Sequence, residues 1–200
     1  NLLAAWRKYN SVIEGIFTVL IIFVFPLVFH DYYYDILVAK YIFYYGSVIL
    51  MIVAMLVGVF FFWYKDKREI GGNAVKEMRS NAKLNALKMS DWAMIIFLIA
   101  VTISTLQSEY RFESFWGNEG RYMGMFLILL YGISFFVISR CLRYRQWYLD
   151  TFLAGGIIAC MIGILHFFKI DPIGFKRGLV GDDYTIFTST IGNINTYTSY

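Results

Sequence analysis

Long apolar runs alternate along the chain with short polar, basic or glycine-punctuated stretches. A helix needs roughly 17–25 predominantly apolar residues to cross a hydrocarbon core of about 30 Å. Runs of that order recur at about 12–29, 41–63, 92–106, 122–139 and 148–168, and a sixth begins at about 186. In lipid every backbone N–H and C=O must be satisfied within its own segment or in a closed barrel. These runs lack the alternation of barrel strands, so they predict helices. The expected fold is all-α: a polytopic transmembrane bundle with five complete spans and the start of a sixth. Residues 1–200 would be the N-terminal part of one integral membrane domain.

Composition agrees with lipid as the solvent. Of the 200 residues, 59% are hydrophobic, 20% aromatic and only 16% charged, and the mean hydropathy is +0.58. Water cannot be the solvent for most of such a surface. A net charge of +4 would fit nucleic acid, but the basic residues lie in short connectors, where membrane topology accounts for them. Nucleic acid is not an expected partner; membrane lipids are.

The distribution of those cations predicts orientation. Arg7 and Lys8, the connector from Lys65 to Lys88, and Arg140, Arg143 and Arg145 place twelve Lys and Arg on one side; Lys40, Arg111, Arg121, Lys169, Lys176 and Arg177 place six on the other. Cytoplasmic loops are the ones enriched in Lys and Arg, so the N-terminus is expected in the cytoplasm. Tyr32 to Tyr34, Trp63, Tyr64, Trp92, Tyr144 and Trp147 lie at span ends, where interfacial belts favour amphipathic rings. The connector from Lys65 to Met89 reads as a surface helix or linker against anionic lipid.

Several features read as structure. Gly155, Gly156, Ala159, Cys160 and Gly163 set small residues four apart and predict close helix packing. Pro26 predicts a kink near the outer end of the first span. Cys141 and Cys160 suit neither a disulfide framework nor a metal cluster. Glu14 is expected close enough to the cytoplasmic edge to reach water. With Glu14 set there, the interiors of the spans carry no Asp, Glu, Lys or Arg for an ion relay. Asn1 is not an initiator, no small-residue cleavage site follows the first apolar run, and that run begins a series, so no removable signal peptide is expected and the chain reads as an excerpt.

Candidate chemistry sits on the outer side. Gln107 to Gly124 reads QSEYRFESFWGNEGRYMG, polar and glycine-rich for a short connector. The fourth span would start there with its N–H groups and positive dipole end facing out, beside the Arg121 guanidinium. An anion at the membrane surface fits that arrangement: a phosphate oxygen pair matches the guanidinium fork, and Gly117, Gly120 and Gly124 let backbone approach a bulky headgroup. The competing account is an Arg121 that snorkels or pairs with Glu119.

A second candidate is TSTIGNINTYTSY at Thr188 to Tyr200, where Asn193 and Asn195 flank Ile194 at the expected entry of the sixth span. These asparagines form either a capped helix start or a polar outer-face cavity whose amides hold sugar hydroxyls or phosphate. His30 and His166, with Asp31 and Asp171 nearby, raise a metal or proton relay, but the spacing supports no ligand set, and no metal is expected. The charged loop from Lys169 to Tyr184, with Lys176, Arg177, Asp182 and Asp183, is expected to be solvated.

Three outer-face pieces, FWGNEGRYMG at Phe115 to Gly124, HFFKIDPIG at His166 to Gly174 and STIGNINTYTSY at Ser189 to Tyr200, together resemble the O-antigen ligase and polymerase family. In that family a glycine-containing outer loop ends in an Arg before a span, and a later Gly-Asn-x-Asn opens the next span after an Asp-Pro loop. The resemblance covers about Trp92 to Tyr200. Many members have Pro where this chain has Ile194.

The resemblance implies a glycosyltransferase C-type fold in the bacterial cytoplasmic membrane. It also implies inverting, metal-independent transfer or polymerisation of glycan at the outer face, from an undecaprenyl-pyrophosphate donor to a glycan, lipid or protein acceptor, with no cofactor. Arg121, with Gly120 and Gly124, would bind the donor pyrophosphate. The catalytic His of the family's ligases lies farther along the chain, so residues 1–200 are expected to be catalytically incomplete, and neither His30 nor His166 takes that role. The alternative is a non-enzymatic lipid-linked glycan transporter or scaffold.

Overall fold

Apolar runs become helices throughout a computed structural model that describes residues 2–30, 35–70, 87–177, 179, 181 and 189–192, with the side chains of Glu69 and Ile70 left aside. Helix α1 spans Leu2–Val19. It widens into a π segment, Leu20–Val24, and tightens into a 3₁₀ turn, Phe25–Leu27. Pro26 causes this change of winding: it has no N–H to donate, and its ring crowds the carbonyl one turn back. The distortion expected at Pro26 is therefore present, and it ends the helix at Leu27.

Helix α2 spans Ile36–Lys65 and continues as a π segment, Asp66–Ile70. Helix α3 is Met89–Gln107, α4 the short Arg111–Trp116, α5 Met125–Cys141 and α6 Gln146–Phe167; Ser189–Ile191 form a 3₁₀ turn. Among the described residues there is no strand. Leu2–Leu27, Ile36–Arg68, Met89–Gln107 and Gln146–Phe167 are long and apolar enough to cross a membrane, which marks a multi-pass membrane protein.

Five complete spans are expected; the fourth apolar run forms the shorter apolar helix α5, whose 17 residues cover about 26 Å at 1.5 Å per residue. The sixth expected span, from about 186, falls mostly outside the described residues.

The surfaces suit lipid. Leu50, Phe60, Ile96, Leu106 and Ile157 each stand more than 60% exposed, which is costly in water and neutral against acyl chains. Helix hydroxyls turn back onto their own backbone: Ser47 to Phe43 O, Thr102 to Leu98 O, Thr105 to Val101 O, Ser134 to Leu130 O and Thr151 to Trp147 O, all within 3.0 Å. That satisfies each donor without water.

The chain forms two compact units. In the first (Asn1–Ile16, Val48–Asn118 and Met123–Arg143), α3, α4 and α5 pack together. Gly132 meets Leu98 there so closely that a Cβ would come within 2.7 Å of its Cδ1. Asp91 ties α3 to α5: its Oδ2 accepts the Lys88 N–H at 2.8 Å and the Arg140 guanidinium at 2.5 Å. In the second unit (Phe17–Ser47, Glu119–Tyr122 and Tyr144–Tyr200), α6 packs on the distorted end of the first helix and on the 3₁₀ turn at 189–191. The small-residue stripe works as expected: Gly155, Ala159 and Gly163 are buried, and a Cβ on Gly155 would lie 3.4 Å from Ile22 O. Cys160, expected on the same stripe, is exposed instead, because it lies one position on from buried Ala159 and faces outward.

Several charge placements correct the sequence reading. Glu14 does not reach water but is fully buried, because α1 begins ten residues earlier than the expected span and carries Glu14 into the helix interior. Lys40, expected in an outer loop, lies in the first turns of α2, 9% exposed. Asp91 and Arg140 also lie inside helices, as does Asp150 of α6, so the helices carry more charge than the interiors of the expected spans.

Candidate functional site

The turn that follows α4 needs glycine where the chain reverses. Gly117 caps α4 at φ 87°, its N–H donating to Glu113 O at 2.7 Å. Gly120 stands at φ 83° with open space where a Cβ would be. Tyr122 also takes a positive φ, 50°, which costs a non-glycine residue free energy. Its ring stacks on Tyr41 at 4.9 Å, and that contact holds the strained residue in place. Between them Arg121 is exposed and makes no hydrogen bond or ion pair among the described residues, Glu119 included.

Helix α5 begins at Met125, so Arg121 precedes it by four residues and is not part of its first turn. Gly124 is the N-cap, with its carbonyl accepting from the Leu127 and Ile128 N–H groups at 3.1 and 3.3 Å. The closeness that glycine permits at 124 is to the chain itself: a Cβ would collide with Phe115 O and Gly117 N. Gly124 therefore packs the first unit, while Gly120 and Arg121 belong to the second.

Asn193 and Asn195 lie outside the described residues, but the segment leading to them is fixed. Ser189, at φ 52°, donates to Ala159 O at 2.6 Å, and Thr190 donates to Pro26 O at 2.9 Å. Lys40 Nζ reaches the same Pro26 carbonyl at 3.4 Å and lies over the Phe25 ring. The end of the first helix leaves that carbonyl without an intrahelical donor, and these two side chains supply it.

The loop after α6, expected to be solvated, instead folds inward. Asp171 accepts the backbone N–H groups of Phe175 and Lys176 at 2.9 and 2.7 Å. That closes the turn begun by Asp171-Pro172 and completed by Gly174 at φ 68°. Phe175, fully buried, stacks on His166 at 5.6 Å and meets Phe29 edge-on at 5.5 Å. His166 Nε2 lies 3.6 Å from Asp171 Oδ1. Lys176, 2% exposed, reaches His166 O at 3.5 Å; burial lowers its pKa, and the Asp171 carboxylate opposes that shift.

His30 is exposed, and among the described residues no group of three or more His, Cys, Asp and Glu gathers. Sequence reasoning missed this inward fold and the role of Lys40. The Asp-Pro-x-Gly turn signature was the available signal for the first; nothing local marked the second.

Together these features describe a helical membrane protein that presents the exposed guanidinium of Arg121, unpaired among the described residues, on a glycine turn. No family model, no curated protein and no solved structure matches the chain.

Proposed function

We propose that the whole protein transfers or polymerises glycan from an undecaprenyl-pyrophosphate-linked donor at the outer face of the bacterial cytoplasmic membrane, with the N-terminus in the cytoplasm. One observation carries the reading: Arg121 is exposed on an open turn with no acceptor among the described residues. Its five N–H donors are thus available to a bidentate anion. In this reading Arg121 binds the donor pyrophosphate and stabilises the negative charge that grows on it as an acceptor hydroxyl attacks the anomeric carbon. Gly120 keeps the approach open. Asn193 and Asn195, outside the described residues, are assigned by sequence alone to a polar outer-face site whose amides hold sugar hydroxyls or phosphate. The resemblance of the three outer-face motifs to O-antigen ligases and polymerases supplies the reaction class.

A second reading, a lipid-linked glycan transporter, draws on the fully buried Glu14 of α1 and the buried Lys40 of α2. Charges within membrane helices mark pathways more often than scaffolds. The discriminating experiment follows glycan transfer from purified undecaprenyl-pyrophosphate donor in membranes that hold the full-length protein or its Arg121→Ala variant at equal levels. The transferase reading expects turnover by wild type and its loss in the variant. Donor that crosses the membrane without transfer by either protein replaces it with the transporter.

A further inference from the structure

Where α1 begins and α2 ends, the two helices of the first unit leave a cleft. Trp6 packs on Phe62 at 5.3 Å and on Tyr9 at 6.3 Å, and the Tyr9 hydroxyl donates to Ala54 O at 2.8 Å. A Cβ on Gly58 would collide with the Tyr9 ring, so glycine is what lets that ring lie against α2. Beside these contacts is a cavity of about 440 Å³, lined among others by Leu2, Ala5, Trp6, Val57, Phe61 and Lys65. Its size falls within the roughly 300–1,000 Å³ of small-ligand sites. Its walls are almost entirely carbon, and Lys65 is the one charged residue that lines it.

Depth and charge narrow the occupant. Val57 lies eight residues before Lys65, about 12 Å deeper along the helix at 1.5 Å per residue. The apolar stretch Ile36–Arg68, 33 residues, is about 50 Å long, so its end reaches past the hydrocarbon core to headgroup level. Three cations end this helix, and two are engaged by their own aromatics. Lys67 Nζ lies over the Trp63 ring at 5.2 Å, and Arg68 Nη1 donates to the Tyr64 hydroxyl at 3.4 Å. Lys65 is exposed and makes no hydrogen bond or ion pair among the described residues. Asp66 is buried and does not line the cleft. Arg7 and Lys8, exposed on α1, add positive potential to the same end.

An apolar cleft that ends in one unneutralised ammonium at headgroup depth is complementary to an amphiphile with a negative head. We propose that the cleft is a binding site for an anionic glycerophospholipid, with an acyl chain between Trp6, Val57 and Phe61 and its phosphate on Lys65. The site is independent of the transferase reading and does not involve Arg121.

The test is native mass spectrometry of the full chain released from nanodiscs containing phosphatidylglycerol and phosphatidylcholine of equal chain length, with helical content and melting temperature recorded in parallel. Wild type is expected to retain phosphatidylglycerol about fivefold over phosphatidylcholine, the effect of one Lys near an anionic headgroup. Lys65→Gln is expected to bring the two lipids to parity, and Ala5→Trp to lower retention of both. Equal retention by wild type, or a preference that survives Lys65→Gln, overturns the proposal. So does a lipid-free dimer that Ala5→Trp breaks, which would assign the cleft to a second copy. If Ala5→Trp does not fold, the Lys65→Gln comparison decides.

Discussion

The turn at 119–122 and the loop from His166 to Arg177 belong to the same unit, and both carry a cation that the sequence alone places in an outer connector. Lys176 is 2% exposed, reaches a carbonyl and sits beside Asp171, in a loop wrapped around a fully buried phenylalanine. Arg121 is exposed and has none of these contacts. A connector that buries its charge uses it to hold the fold, because a desolvated ammonium must be compensated from within. A connector that leaves its charge in the open keeps its donors for something outside the chain. Polarity alone would rank Lys176 and Arg121 alike; of the two, only Arg121 keeps its donors open to solvent.

Substitutions should separate them, first on stability. Phe175→Ala removes the ring between Phe29 and His166 and should cost about 3–5 kcal/mol, read as a lowered unfolding midpoint in nanodiscs. Asp171→Ala leaves two backbone N–H groups without their acceptor, about 1–3 kcal/mol for each that stays dry, by the same measurement. Ser189→Ala removes the hydrogen bond to Ala159 O and should cost about 1 kcal/mol. Arg121→Ala should stay within about 0.5 kcal/mol of wild type, as exposed surface substitutions do. A large destabilisation there would erase the contrast.

The contrast also has a pH signature. Burial lowers the Lys176 pKa below its ordinary 10.5, so the unfolded chain binds more protons than the folded one between the two values. Stability should therefore rise with pH through that window. Lys176→Met, which keeps the apolar stem, should flatten the slope in an alkaline unfolding series.

The parts of the fold legible in the sequence are those set by local rules. Apolar length marked the helices, Pro26 marked the broken winding that ends the first, and spacing at 155, 159 and 163 marked the packed stripe. Trp63, Tyr64, Trp92 and Trp147 stand exposed near helix ends, and Tyr144 in the connector between α5 and α6.

What escaped depends on partners distant in sequence. Lys40 is buried in α2, with its Nζ on the Pro26 carbonyl fourteen residues away. Lys176 is buried because Phe175 has a pocket against Phe29 and His166. Hydropathy alone starts the first helix at 12 and leaves Glu14 at its edge, whereas the amphipathic stretch from Leu2 is helical as well. At the candidate site, the exposure of Arg121 agrees with its composition, but Gly124 turned out to serve the chain's own backbone, a contact no spacing rule foretells.

The central claim is that Arg121 is a ligand residue and not merely one more surface cation. The most direct test compares glycan transfer from undecaprenyl-pyrophosphate donor by full-length wild type, Arg121→Ala, Arg121→Lys and Arg177→Ala, the last removing another exposed arginine of the same unit. Hydrogen bonds to charged groups contribute about 1.5–3 kcal/mol, so Arg121→Ala should slow transfer roughly tenfold or more at an unchanged melting temperature. Arg121→Lys should recover part of the rate, since the charge remains but the fork is lost, and Arg177→Ala should match wild type. Equal losses at both arginines, or no loss at Arg121, would contradict the account.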